Sequence, residues 1–230
     1  MIIEKRYGTP IPQGININGL LGTTPKTFTP VRVHRRREQC NDPGFYHLYA
    51  RKIDGSQLFI RQSDFKKFLI ITEEARKKFN ATIIIVICMS NHFHMIVSSG
   101  DIMGFKTFIN RKYSGWYNLK YKRKGSLLYE STIKASRLSY TDAIRDRFLY
   151  NANNPVKAKL SRTAFTYKYS SMKLFSLRPW VWKELITIDK NYIIALFGSL
   201  DNLKDMLRKE LAYKDTMKKI GRGDWGDGAL

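Results

Sequence analysis

Apolar and polar positions change period several times along the chain, and each change marks an element. Ahead of residue 43 there is little periodicity. Glycine and proline recur there at Gly8, Pro10, Pro12, Gly14, Gly19, Gly22, Pro25 and Pro30, which predicts an extended, partly ordered arm. Regular structure is expected from Pro43-Gly44 onward. Residues 45–50 read as an aromatic-rich strand and Asp54-Gly55 as a turn. Behind Ser63-Asp64, the residues Phe65, Phe68, Leu69, Thr72, Ala75 and Phe79 recur at helical spacing, predicting a helix that stops at Asn80. Residues 82–87 are the most β-like run of the chain. Ser90-Asn91 forms a tight turn, and residues 92–97 return as a neighbouring strand. A basic amphipathic helix is predicted over 102–122, with Phe105, Phe108, Ile109, Tyr113, Trp116 and Tyr117 as its candidate buried stripe and Gly125 as its stop. Residues 127–138 read as extended. A further helix starts near Thr141, capped by Thr141 or Ser139, and ends at about Asn154 ahead of Pro155.

The order strand, helix, strand, strand, helix, strand, helix predicts an α+β fold with helices packed on an antiparallel sheet. Past residue 179 the pattern shifts to short helical stretches, over 192–197 and from an Asp201 cap to about 213, followed by a Gly-rich tail expected to be flexible. Three regions result: an extended basic arm over 1–42, the main domain over 43–178, and a helical extension over 179–230.

Charge narrows the partner. The 230 residues hold 41 Lys plus Arg against 19 Asp plus Glu, a formal charge of +22. Such a surplus favours a polyanion, since each neutralised phosphate releases condensed counterions. Nucleic acid is the leading reading, with a ribosome-associated protein or a membrane-surface binder as alternatives. The run at 32–37, with Arg35, Arg36 and Arg37, suits a phosphate contact and equally a solvated charged segment. Cys40 and Cys88 show neither a disulfide framework nor metal spacing, and Cys88 in its apolar run reads as a buried thiol, which suits a reducing compartment. With no signal-peptide pattern and no apolar stretch of membrane-spanning length, the expected location is cytoplasmic, at DNA, with no membrane partner.

Two constellations could carry chemistry. On a strand, side chains alternate, so His92 and His94 share one face while Phe93, Met95 and Val97 anchor the other. Two imidazoles at i, i+2 can reach one divalent ion; packed or surface histidines are the alternative. Tyr150 and Asn154 stand at i, i+4 on one helical face. A phenol can attack a phosphodiester and an amide oxygen can ligate Mg²⁺ or Mn²⁺. The alternative is a core tyrosine and an asparagine that merely precedes Pro155, where the α conformation is disfavoured.

Together these segments resemble a known family. Asn91-His92-Phe93-His94 behind the apolar run 83–88 resembles the HUH motif of single-tyrosine (IS200-like) transposases. The segment 150–160, YNANNPVKAKL, resembles the nucleophile helix of the REP-associated tyrosine transposase branch. Supporting likenesses fall at 44–47, 64–69, 125–130 and 167–171, so the resemblance spans about residues 43–175. Two departures stand out: Tyr129-Glu130-Ser131-Thr132 replaces a common Trp-Glu-Gly-Arg, and Ser90 replaces a common proline.

The resemblance implies a ferredoxin-like (RRM-like) HUH endonuclease sheet and a metal-dependent single-strand DNA endonuclease and strand transferase, a transposase acting on hairpin-bearing DNA. Tyr150 would be the nucleophile that forms a 5′-phosphotyrosine. His92, His94 and Asn154 would hold Mg²⁺ or Mn²⁺, with Glu130 assisting or merely exposed. DNA contacts are expected at Arg35, Arg36, Arg37, Arg111, Lys120, Lys122, Arg123, Lys124 and Lys134. Aromatics interleaved with the basic residues of 111–124 suit base stacking, although Trp116 reads as core. A homodimer is left open. The rivals are a non-catalytic basic nucleic-acid-binding protein on a similar sheet, with Phe or Tyr where the histidines stand, and a replication- or conjugation-type HUH nickase.

Overall fold

The computed structural model describes residues 43–128, 133–178 and 180–219. The expected arm with Arg35, Arg36 and Arg37, the residue Glu130 and the Gly-rich tail all lie outside the described residues. Four strands, β1 (Gly44–Arg51), β2 (Thr82–Cys88), β3 (His92–Ser99) and β4 (Lys134–Leu138), form one antiparallel sheet in the order β2-β3-β1-β4. Helix α1 (Gln62–Lys78) joins β1 to β2, and α2 (Ile102–Lys120) joins β3 to β4. This is the ferredoxin-like βαββαβ arrangement. Helices α3 (Thr141–Lys157), α4 (Lys190–Phe197) and α5 (Leu200–Lys219) follow.

Local sequence explains most boundaries. The Asp64 carboxylate accepts from the Ile60 and Arg61 amides and so closes the first turn of α1, whose last turn carries Arg76, Lys77 and Lys78 against the helix dipole. Asn80 takes the left-handed conformation past its end (φ 45°), which Asn tolerates better than most residues. Asp101 caps α2 through the Gly104 amide. Isoleucine-rich β2 is buried on both faces, as its unbroken apolar run requires. Its outer edge is closed: Cys88 donates to the Tyr169 carbonyl, Val86 to Ser171 Oγ, and Asp189 to the Ile83 carbonyl.

Register fixes the two sheet faces. Tyr46, Leu48 and Ala50 share one face with Phe93, Met95 and Val97, which α1 and α2 cover; Phe68 of α1 packs on both Phe93 and Tyr113. The other face carries His47, Tyr49 and Arg51 of β1 with Ile96, His94 and His92 directly opposite. The expectation of helices on one face holds for α1 and α2, while α3 lies over the histidine face.

Three local expectations are corrected. The N-cap of α3 is Tyr140, without a side-chain cap bond, because the pairing of Leu138 with Phe45 leaves only two residues between strand and helix. Pro155 does not end α3. The helix runs through it to Lys157, and the bond from Ala158 N to the Asn154 carbonyl keeps the last turn closed. At α5, Ser199 rather than Asp201 supplies the cap, accepting from the Asn202 amide.

Residues past 179 also complete the main core. Trp182 packs on Tyr169 and Phe65, Tyr192 stacks on Phe45, and Phe197 meets Phe148. Among the described residues no helix is long and apolar enough to cross a membrane.

Candidate active site

The β2–β3 turn is held by backbone bonds. Leu58 and Phe59 donate to the Ser90 carbonyl, Lys52 to that of Asn91, and Met89 to that of His92. These bonds fix the start of β3, so His92 and His94 emerge on the α3 side with ring centroids 5.1 Å apart and planes 81° apart. Each ring is held through Nδ1: that of His92 lies 2.6 Å from Asn91 Oδ1, and that of His94 lies 3.0 Å from His47 Nε2. Burial, reinforced by His94 and Arg147, holds His47 well below the ordinary imidazole range, so it is neutral at pH 7.

Helix α3 brings Tyr150 to this pair. Its ring meets that of His94 edge-on, centroids 6.5 Å apart and planes at 88°. The Lys157 ammonium lies 4.3 Å from the Tyr150 ring centroid and the Arg147 guanidinium 5.5 Å from it. Since α3 continues through Pro155, half-buried Asn154 stands one turn beyond Tyr150 on the same helical face. Its neighbour Asn153 is turned to α5, donating to the Leu207 carbonyl and Glu210.

The two imidazoles could serve as ligands of one divalent ion. With Nδ1 of each ring bonded to a protein neighbour, a metal would be met by Nε2, and such second-atom bonds are how proteins orient metal-binding imidazoles. Among the described residues no group of three or more His, Cys, Asp or Glu could hold a metal. Of the donors expected from the sequence, Asn154 lies on the Tyr150 face of α3. Two imidazoles and an amide lean toward Mn²⁺ over Mg²⁺, which prefers all-oxygen surroundings.

The expected DNA contacts separate into groups. Lys134 pairs with Tyr49 across β4 and β1 and so belongs to the histidine face. Arg111, Lys122 and Lys124 are exposed. Lys120 is occupied: its ammonium bonds Ser63 Oγ and the buried Asp64 carboxylate, and lies over Trp116. Arg123 holds its own loop, donating to the Ser126 carbonyl. Tyr113 and Tyr117 are core residues, while Trp116 is partly buried against them, so little of the aromatic stripe of α2 faces outward. Cys88 is buried as expected, and burial pushes its thiol up, away from reactivity.

Sequence reasoning passed over His47, Arg51, Arg147, Lys157 and Glu210. For the first two a signal existed. His47, Tyr49 and Arg51 alternate on β1 with the same period that picked out His92 and His94 on β3.

Fold and site together define a class: a ferredoxin-like α+β domain with two oriented imidazoles on one sheet face and a phenol brought to them by a third helix. No family model and no curated protein matches the chain. Among solved structures it is similar to a REP-associated tyrosine transposase bound to a REP hairpin. That likeness has 17% identity and a TM-score of 0.48, covering 61% of this chain and 86% of the other.

Proposed function

We propose that this protein is a metal-dependent single-strand DNA endonuclease and strand transferase of the REP-associated tyrosine transposase branch, with Tyr150 as nucleophile. The observation that carries this reading is the Tyr150 ring set edge-on against His94 from a separate helix. A core tyrosine needs no such neighbour, and a metal pair without catalysis needs no phenol.

His92, His94 and Asn154 would hold the ion. When bound, it supplies positive charge to the non-bridging oxygens of the scissile phosphate. Tyr150 Oη attacks phosphorus, a bond forms between them, and the P–O3′ bond breaks with its electron pair passing to O3′. The phenolic proton is released and the 3′-oxygen takes one up, leaving a 5′-phosphotyrosine and a free 3′-hydroxyl. Reversal of the same exchange onto another 3′-end joins strands without ATP. Arg147 and Lys157 flank the ring and offset negative charge building during attack. Lys134 and Arg51, on the histidine face, suit phosphates of the bound strand.

A base-stacking sheet suits this surface less well. Phe45 lies on the histidine face but is stacked under Tyr192 of α4 at 5.0 Å, and α3 covers the centre.

The test is a labelled single strand bearing a hairpin, incubated with the protein and Mn²⁺ and analysed for a covalent adduct. The adduct should form, vanish in EDTA, and vanish in Tyr150→Phe, which keeps the ring but removes its oxygen. An adduct that persists in the phenylalanine variant, or that is undiminished by EDTA, overturns the proposal.

A further inference from the structure

Helix α5 packs along α3 through buried Leu203 and Leu207. One turn beyond Leu207, Glu210 turns both carboxylate oxygens onto α3. Oε1 accepts from Lys157 Nζ at 2.6 Å and Oε2 from Asn153 Nδ2 at 2.8 Å. Asn153 also donates to the Leu207 carbonyl at 2.9 Å, which ties its side chain to the backbone of α5 at this level. Tyr150, Asn153 and Lys157 stand at i, i+3 and i+7, a single stripe of α3. Lys157 thus has its ammonium on Glu210 and over the Tyr150 ring at the same time, 4.3 Å from the centroid.

A lysine left to itself would not stay there. Its four-carbon stem samples many rotamers, and a water-exposed ion pair seldom holds one of them. This pair is largely withdrawn from solvent, the side chains being 21% and 15% exposed for Lys157 and Glu210. Its carboxylate is itself anchored by Asn153, so the acceptor is preorganised.

We infer that Glu210, on the C-terminal helix α5, is a positioning residue for the Tyr150 nucleophile, acting by clamping Lys157 over its ring. This rests on the reading of Tyr150 as nucleophile given above. It makes the segment past residue 179 part of the working site. Glu210 acts through the lysine, whose ammonium it holds against the face of the Tyr150 ring.

Two measurements on the full-length protein test this. The first needs no DNA and no metal. Protein carrying ¹³C at lysine Cε is examined by NMR at fixed pH, and the Lys157 signal is identified by its loss in Lys157→Arg. Held over an aromatic face, its ε-methylene protons should be shifted upfield, and the shift should disappear in Tyr150→Leu. It should also disappear in Glu210→Gln and be partly kept in Glu210→Asp. A shift unchanged in Glu210→Gln overturns the clamp whatever the protein's activity.

The second is single-turnover adduct formation on the hairpin-bearing strand with Mn²⁺, scaled to folded protein. Glu210→Gln and Lys157→Met should each slow it by about ten- to a hundredfold, as small misplacements of reacting groups do. The double variant should be no slower than the worse single one, and hairpin affinity should be unchanged. Multiplying effects, or a full rate with the ring shift lost, would make the contact a plain interhelical ion pair. Absence of an adduct from the unmodified protein would sink the nucleophile reading instead, leaving the NMR result to stand on its own.

Discussion

His47 and His94 meet across neighbouring strands, Nε2 to Nδ1 at 3.0 Å, where the two side chains are 3% and 8% exposed. If His94 ligates through Nε2, its proton sits on Nδ1 and points at His47, which must accept. A buried, neutral His47 can do so. His47→Phe should therefore weaken Mn²⁺ binding by about 10–100-fold, the usual cost of losing an orienting partner. His47→Gln, which keeps an acceptor, should keep most of the affinity. Isothermal titration with Mn²⁺ measures both, and equal affinity in the phenylalanine variant would remove His47 from the site.

Lysines in similar sequence surroundings should behave differently toward DNA. Lys134 lies on the histidine face, whereas the Lys120 ammonium is held by Asp64. For a hairpin-bearing single strand, Lys134→Ala should flatten the slope of log affinity against log salt by about 0.7, one single-strand phosphate contact. Lys120→Ala should leave the slope alone and lower Tm. A flattened slope in Lys120→Ala would mean that its bond to Asp64 opens when DNA binds.

Asp64 gives a pH dependence with a definite sign. Burial opposes its ionisation, but hydrogen bonds from the Arg61 amide, the Lys120 ammonium, the Tyr121 hydroxyl and the Ile60 amide outweigh it and hold the carboxyl below the usual aspartate range. A lowered folded value means that the stabilisation is fully present above the unfolded value of about 3.9 and is lost as pH falls through the folded one. Asp64→Asn should cost about 2–3 kcal/mol at pH 7. That deficit should shrink on acidification below pH ~4. Urea unfolding at pH 7 and at lower pH tests it; a deficit independent of pH would assign the loss to the cap alone.

Two glycines of α2 should respond in opposite directions. A Cβ on Gly104 would collide with the Asp101 carboxylate and the Phe79 ring, whereas one on Gly115 meets nothing. Gly104→Ala should destabilise by about 1–3 kcal/mol through overpacking. Gly115→Ala should stabilise by up to ~1 kcal/mol, since alanine is the better helix former. Thermal melts of the two variants decide it, and the same sign for both would contradict the packing at the start of α2.

Much of the framework was legible from period alone. The seven elements from β1 to α3 follow in the expected order, and the histidine and tyrosine motifs fall on the strand and helix anticipated for them. What misled were local signals that other contacts outweigh. Pro155 ordinarily stops a helix, yet Asn153 bonded to α5 holds the last turn of α3 in place. Asp201 looks like a cap, but Ser199 is the residue that reaches the orphan amide. The basic run of α2 looks uniform, and nothing nearby in sequence reveals that Asp64 neutralises one member of it.

By itself the sequence determined which side chains share a face. Alternation puts His92 with His94, and helical repeat puts Tyr150 with Asn154, because chain geometry imposes these relations within a few residues. Only the tertiary structure decided that α3 lies over the histidine face while α1 and α2 take the other, that His47 backs His94, and that Glu210 reaches Lys157. Each of these joins residues far apart in the chain. Such meetings depend on strand register and helix packing, which are set by the burial of the whole core, so no local pattern carries them.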